Sequence, residues 1–276
     1  MNRLKSLILV LIAVTVSGCA GIKMQIPQVS PTTRTAMQER FKDGIPPSMR
    51  MPEEDMLSAL DQINHRIKAA ASRVCTRMFG DLYLCPQRLD RFEVRAVRSP
   101  LVNAYIDANS RITMFSGLMA RAGSHDEIAA VLAHEYSHGL MGHVAKSAQN
   151  SVLATLTGVA VGAAVGAKTK DPNDLEDWMR LGTNIGSLAG MRIYSQAMEN
   201  EADHIGLFIL SEAGYSVEAA SHFHMRMLNE RKFVRNQKER DNLLYVRTHP
   251  GHKERIQKLV ATEALIMDGL RQPIWK

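Results

Sequence analysis

The sequence predicts an α+β fold, mostly helical, with a small antiparallel sheet, and three observations carry that expectation. Between Glu53 and Val74 the apolar residues Met56, Leu57, Leu60, Ile63, Ile67 and Ala71 recur at helical spacing. Between residues 92 and 115 the period falls to two: Phe92, Val94 and Ala96 alternate with charged residues, and two apolar stretches, Ala104–Ile106 and Ile112–Phe115, flank a polar "DANSR" turn. From Ser124 the helical period returns. A length of 276 residues, 45% of them hydrophobic, is ample for one packed domain.

The chain opens with a short positive stretch, Asn2-Arg3-Leu4-Lys5, then an uncharged apolar run from Leu7 to Val16 and the tetrapeptide "VSGC", Val16 to Cys19. The run is shorter than the roughly 20 residues that span a bilayer. The pattern resembles a bacterial lipoprotein signal over residues 1–18, with Cys19 as the first mature residue and the site of lipidation. More than one acyl chain anchors stably, since each buried methylene contributes about 0.8 kcal/mol. Ala20 follows, with no aspartate there to hold the protein at the inner membrane, so the expected location is the outer membrane, facing the periplasm. Pro27, Pro31, Pro46, Pro47 and Pro52, with little periodicity around them, make residues 19–52 read as a lipid-anchored tether. Residues 53–276 are then the folded domain.

The net charge of +6 is spread along the chain without a run of lysine or arginine, and no recognisable reader motif accompanies it, which argues against a nucleic-acid partner. Setting Cys19 aside leaves Cys75 and Cys85, an even pair in an exported chain, which reads as a disulfide; two buried free thiols are the alternative. Closing a loop of about ten residues stabilises a fold by roughly 2–3 kcal/mol in the chain-entropy model.

Ser124, with Glu127 three residues on, forms a capping box and sets the phase of the next helix. Within it lies "VLAHEYSHGLMGH", Val131 to His143. His134 and His138 stack one turn apart on one face, and two neutral imidazoles so placed can bind one divalent ion. Glu135, beside the first, can act as general base on a bound water, which suits metal-assisted hydrolysis. Such a site needs a third protein ligand. His143, roughly 140° further around the helix from His138, reads as a hydrogen-bonded structural residue. Farther on, Gly158, Gly162 and Gly166 and then Gly182, Gly186 and Gly190 repeat every four residues about "KTKDPND". They predict an antiparallel helical hairpin with facing glycine ladders, a membrane-dipping hairpin being the alternative.

"ENEADHIGLFIL", Glu199 to Leu210, supplies candidates for the third ligand: Glu199 and Glu201 lie about 200° apart on a helix, so only one of them can face the metal. Here the chain resembles the HtpX-like, BepA-like and LoiP-like gluzincin proteases, which pair H-E-x-x-H with a later Glu-Ala-Asp. The resemblance extends through "NAYIDANSRITMFSGLM" (Asn103 to Met119), "DEIAAVLAHEYSH" (Asp126 to His138) and "THPGHKERI" (Thr248 to Ile256). It departs at His204, where the family carries a basic residue, and in "DANSR", where it carries a glycine turn. The resemblance implies a zincin-type metallopeptidase domain with one Zn2+ per chain held by His134, His138 and Glu201, the glutamate directly before Ala-Asp. Asp203 is then an outer carboxylate that orients a metal-bound imidazole. His249, fixed by Pro250, and Tyr194 are candidate donors to the oxyanion; the other role open to His249 is to take zinc's vacant fourth position.

What the resemblance implies about function is a zinc-dependent endopeptidase cleaving misfolded or stalled outer-membrane and periplasmic proteins, in contact with the outer-membrane assembly machinery. Extended segments of unfolded substrates would add to a sheet edge between Ala104 and Phe115 through main-chain hydrogen bonds. Two other classes stay open: a periplasmic chaperone or assembly factor that uses the same fold without significant proteolysis, and a structural lipoprotein whose histidines store metal.

Overall fold

The computed structural model describes residues 24–49, 51–149, 194–233, 242–249 and 253–274. The signal sequence, Cys19, Pro250 and both glycine ladders, Gly158 to Gly190, lie outside the described residues. In chain order the elements are α1 (Pro31–Arg40), α2 (Glu53–Phe79), a 3-10 turn (Asp81–Tyr83), α3 (Cys85–Asp90), β1 (Glu93–Val97), β2 (Ala104–Ile106), β3 (Arg111–Phe115) and α4 (Ser116–Met119). They continue with α5 (His125–Leu140), α6 (Gln196–Glu212), α7 (Glu218–Phe233), α8 (Tyr245–Thr248) and α9 (Lys253–Met267).

Helix α5 is the core. Every residue from Glu127 to His138 is buried, because α2, α6, α7 and the sheet pack around it. The Ser124 hydroxyl accepts from the Glu127 backbone N–H at 3.2 Å, as a capping box requires. Glu127 reaches one residue further back than the motif predicts, accepting from the Gly123 N–H at 2.9 Å, and its carboxylate also pairs with the Arg226 guanidinium. Helix α6 lies close against α5 at Gly206, where an added Cβ would lie 3.3 Å from the His134 backbone nitrogen. The absence of a side chain there lets the two helix backbones meet beside the histidines.

The sheet has three strands in the order β1-β3-β2 and is mixed: β2 pairs antiparallel with β3, whereas β1 pairs parallel with it. The short "DANSR" turn, with Asp107 accepting from the Asn109 and Arg111 N–H groups, closes the antiparallel hairpin. The longer connection, residues 98–103, runs past the C-terminal end of β3 instead, and Pro100 within it cannot continue a strand. The Cys75–Cys85 disulfide is present, joining α2 to α3 across the 3-10 turn.

Part of the expected tether is ordered and docked. Ser30 caps α1 through the Thr33 N–H at 3.0 Å and Pro31 opens it, a start signal hidden among the prolines. Met37 packs on Ile256 and Val260 of α9, while Arg40 pairs with Glu263 and Glu218. The Gln25 and Met49 N–H groups donate to the Ile274 and Ala122 carbonyls, and the Pro46 carbonyl accepts from the Arg226 guanidinium.

Candidate metal centre

His134 and His138 emerge from the middle of α5 with their Nε2 atoms 2.9 Å apart. Each turns its other ring nitrogen to a partner of its own. His134 Nδ1 lies 2.9 Å from Asp203 Oδ1, and His138 Nδ1 lies 2.9 Å from His143 Nδ1. The Tyr194 ring stacks on His138 with centroids 3.8 Å apart and planes 18° from parallel, which fixes the imidazole plane.

The third side is formed by Glu199 of α6. Its Oε2 is 3.5 Å from His134 Nε2, and its Oε1 is 3.5 Å from His138 Nε2. This corrects the expectation for Glu201, which does not join the convergent atoms. Glu201 points away, is 24% exposed, and meets His143 Nε2 at 3.1 Å. The 200° rotation holds; its phase is the reverse of that implied by the Glu-Ala-Asp adjacency. Glu199 and Asp203 are four residues apart, the same spacing as His134 and His138, so the sequence puts both carboxylates on one face of α6 without saying that this face meets α5.

Arg255, at the start of α9, is the residue that sequence reasoning missed. Fully buried, it places Nη1 2.6 Å from Glu199 Oε2, Nη2 2.8 Å from Asp203 Oδ1 and Nε against Asp203 Oδ2. Burial opposes the charge of both carboxylates, but Arg255 outweighs it and holds Glu199 and Asp203 well below their ordinary ranges. Its one sequence signal is its place in "THPGHKERI", beyond the residues assigned a role there.

His249 closes the cluster. Its Nδ1 is 3.1 Å from Glu199 Oε1 and 3.3 Å from His134 Nε2, and its ring stacks on Tyr245. Ligand atoms of His134, His138, Glu199 and His249 all lie within 4.8 Å of one another, and all four residues are buried. Glu135 stands beside them, 3.4 Å from His249 Nε2, with its carboxylate close to the Ile106 backbone of β2. Burial raises its carboxyl pKa, and the charges of His249 and His134 oppose the rise. Burial also works against a charged His134, yet the Asp203 and Glu199 carboxylates hold its pKa up at about 9.

Two imidazoles and a carboxylate, with a third imidazole at the fourth corner, are a donor set suited to tetrahedral zinc. The outer contacts suit it too. Asp203 and His143 engage the Nδ1 atoms, which leaves both Nε2 atoms facing the same point.

The profile of Peptidase family M48 matches residues 68–263. The chain is 25% identical over 214 residues to the mitochondrial metalloendopeptidase OMA1 of Saccharomyces cerevisiae, which covers 76% of this chain and 59% of that protein. It is 28% identical over 203 residues to a putative beta-barrel assembly-enhancing protease of Vibrio cholerae, covering 71% and 37%. To the beta-barrel assembly-enhancing protease of Escherichia coli it is 26% identical over 167 residues, covering 60% and 33%. The chain therefore spans between about a third and three fifths of the length of these relatives.

Proposed function

The chain belongs to Peptidase family M48, and from that premise we propose that it is a zinc-dependent endopeptidase. The observation that carries the proposal is the buried Glu135, set between the convergent His134, His138 and Glu199 and the backbone of strand β2. A zinc ion held by those three residues would polarise a peptide carbonyl and lower the pKa of a bound water to about 7. Glu135, its pKa raised by burial, is matched to accept a proton from that water and later deliver it to the leaving amine. Strand β2 is an outer strand whose Ile106 backbone lies close to Glu135, so an extended peptide paired along it would bring a carbonyl to the reacting position.

His249 stands where water or substrate would have to enter, not beside it. In this arrangement the His249 imidazole would compete with water for a metal held by those three residues and would have to withdraw before the reaction.

The substrates we propose are misfolded or stalled cell-envelope proteins, met by an enzyme anchored through lipid on Cys19 at the outer membrane, facing the periplasm. The lipoprotein-like signal, the Cys75–Cys85 disulfide and the names of the two bacterial relatives support this reading. No helix among the described residues is long and apolar enough to cross a membrane.

The test is a comparison of the full chain, purified in detergent and loaded with zinc, with its Glu135→Gln variant on an unfolded protein substrate. Glu135→Gln is expected to retain zinc and to lose cleavage by roughly 10²- to 10⁴-fold. Equal binding of unfolded protein by both, with cleavage by neither, would instead establish a chaperone on the same fold.

A further inference from the structure

His143 and Glu201 lie at the centre and are used neither as ligands nor in proton transfer. Their placement comes from a turn. Helix α5 ends at Leu140, Gly142 adopts φ 64°, and residues 143–149 form a new helical stretch. The reversal at Gly142, a conformation for which glycine is suited, brings the His143 ring back against His138, with centroids 5.0 Å apart and planes at 70°. A continuous helix would have carried it away. His143 Nδ1 then lies 2.9 Å from His138 Nδ1, and His143 Nε2 lies 3.1 Å from Glu201 Oε2.

The order of hydrogens along this chain of groups follows from both of its ends. At the outer end a carboxylate can only accept, so His143 Nε2 carries a hydrogen and donates it to Glu201. A neutral imidazole has one N–H, which makes His143 Nδ1 an acceptor. At the inner end an imidazole that binds metal through Nε2 carries its hydrogen on Nδ1, so His138 Nδ1 must donate. The two requirements meet without conflict at the 2.9 Å contact. We propose that His143 and Glu201 are positioning residues that fix the tautomer and ring orientation of His138 for metal binding. This inference rests on reading the centre as a zinc site.

The two metal-facing histidines are thus oriented by different devices. His134 meets a carboxylate directly, Asp203, which Arg255 clamps. His138 meets a neutral ring, with the negative charge of Glu201 one group farther out and partly exposed. A metal-bound histidine commonly donates its free N–H to a carboxylate, carbonyl or water, and loss of that partner weakens metal binding by about 10- to 100-fold.

Two substitutions at position 143 separate orientation from space-filling. Asn places an oxygen near the position of Nδ1 and can accept from His138, although it stops short of Glu201. Gln reaches the position of Nε2 but puts a methylene where the acceptor was. In the full chain, with zinc affinity measured by chelator competition, His143→Asn is expected to stay within a few-fold of the unsubstituted protein, and His143→Gln to fall by about 10- to 100-fold. Glu201→Ala, at a partly exposed site, should weaken zinc by up to about tenfold without shifting the melting temperature of the metal-free chain. In the zinc-loaded protein, ring ¹H–¹⁵N correlations should show hydrogen on His138 Nδ1 and on His143 Nε2. Equal affinities for His143→Asn and His143→Gln, or a hydrogen on His143 Nδ1, would overturn the relay and leave the zinc site standing. Failure of the unsubstituted chain to bind zinc would overturn the site itself and the relay with it.

Discussion

Helices α5 and α6 face one another across the centre, and each brings two functional side chains four residues apart to it. On α5 these are His134 and His138; on α6 they are Glu199 and Asp203. The two helices differ in what fixes their phase. Two imidazoles on one helix can serve one metal only from the same face, so α5 carries its orientation in its own sequence. Helix α6 offers three acidic side chains within five residues, and its own sequence admits more than one face. Gly206 packed against His134 and Arg255 reaching from α9 select the one that is used. One ligand helix is self-orienting and the other is oriented by its neighbours.

The strongest way to break this comparison is to remove the neighbour. Arg255→Met leaves Glu199 and Asp203 buried without their counter-charge, and the metal-free chain should lose about 3–5 kcal/mol of stability in urea unfolding. Zinc should restore part of the loss, because the cation also neutralises Glu199. A metal-free variant as stable as the unsubstituted chain would mean that α6 orients itself after all.

The choice of carboxylate sharpens the comparison further. Structural zinc is worth about 10–16 kcal/mol, so one of four ligands accounts for roughly 3 kcal/mol, or on the order of a hundredfold in affinity. Glu199→Ala should therefore lose most of its zinc in a chelator titration, whereas Glu201→Ala should keep it to within about tenfold. The reverse result would return the ligand role to Glu201.

The dependence of α5 on α6 should also appear in the response to pH. In the metal-free chain Asp203 and Glu199 raise the His134 pKa to about 9, so near neutrality this ring holds a proton that zinc must displace. Affinity should rise with pH by about tenfold per unit from this group and level off near pH 9. Calorimetry in two buffers of different ionisation enthalpy counts the released proton. The same contact stabilises the metal-free fold fully below pH 6.5 and is lost as pH rises through about 9. Proton release of zero would show that α6 does not charge His134.

The smallest expected effect belongs to neither helix. His249→Ala removes a ring from the fourth position without touching the three ligands, so zinc should remain and proteolysis should rise several-fold. A fall in turnover would identify His249 as an oxyanion donor.

Much of this was legible in the sequence for local reasons. The Ser124 cap, the His134–Glu135–His138 spacing and the nearby Cys75–Cys85 pair each depend on residues close together in the chain, where turn geometry and helix period constrain the outcome. Asp203 was legible as an outer carboxylate because outer partners of metal-bound histidines follow a general chemical pattern. His143 was legible as a hydrogen-bonded residue that is not a ligand, but its place against His138 was not, because its phase was counted along a helix that Gly142 interrupts. The parallel pairing of β1 and the docking of α1 on α9 went unread because both depend on how distant segments pack.

By itself, then, the sequence determined the mostly helical fold with its small sheet, the active-site helix and the two histidines that face one point. Helical period and capping act over a few residues, and any structure containing that stretch must respect them. Tertiary structure alone decided that Glu199 and not Glu201 completes the set, that Arg255 holds it, and that His143 turns back beneath His138. Those outcomes depend on which face of a helix finds a buried partner. A buried charge is tolerated only where another group, brought from elsewhere in the chain, compensates it.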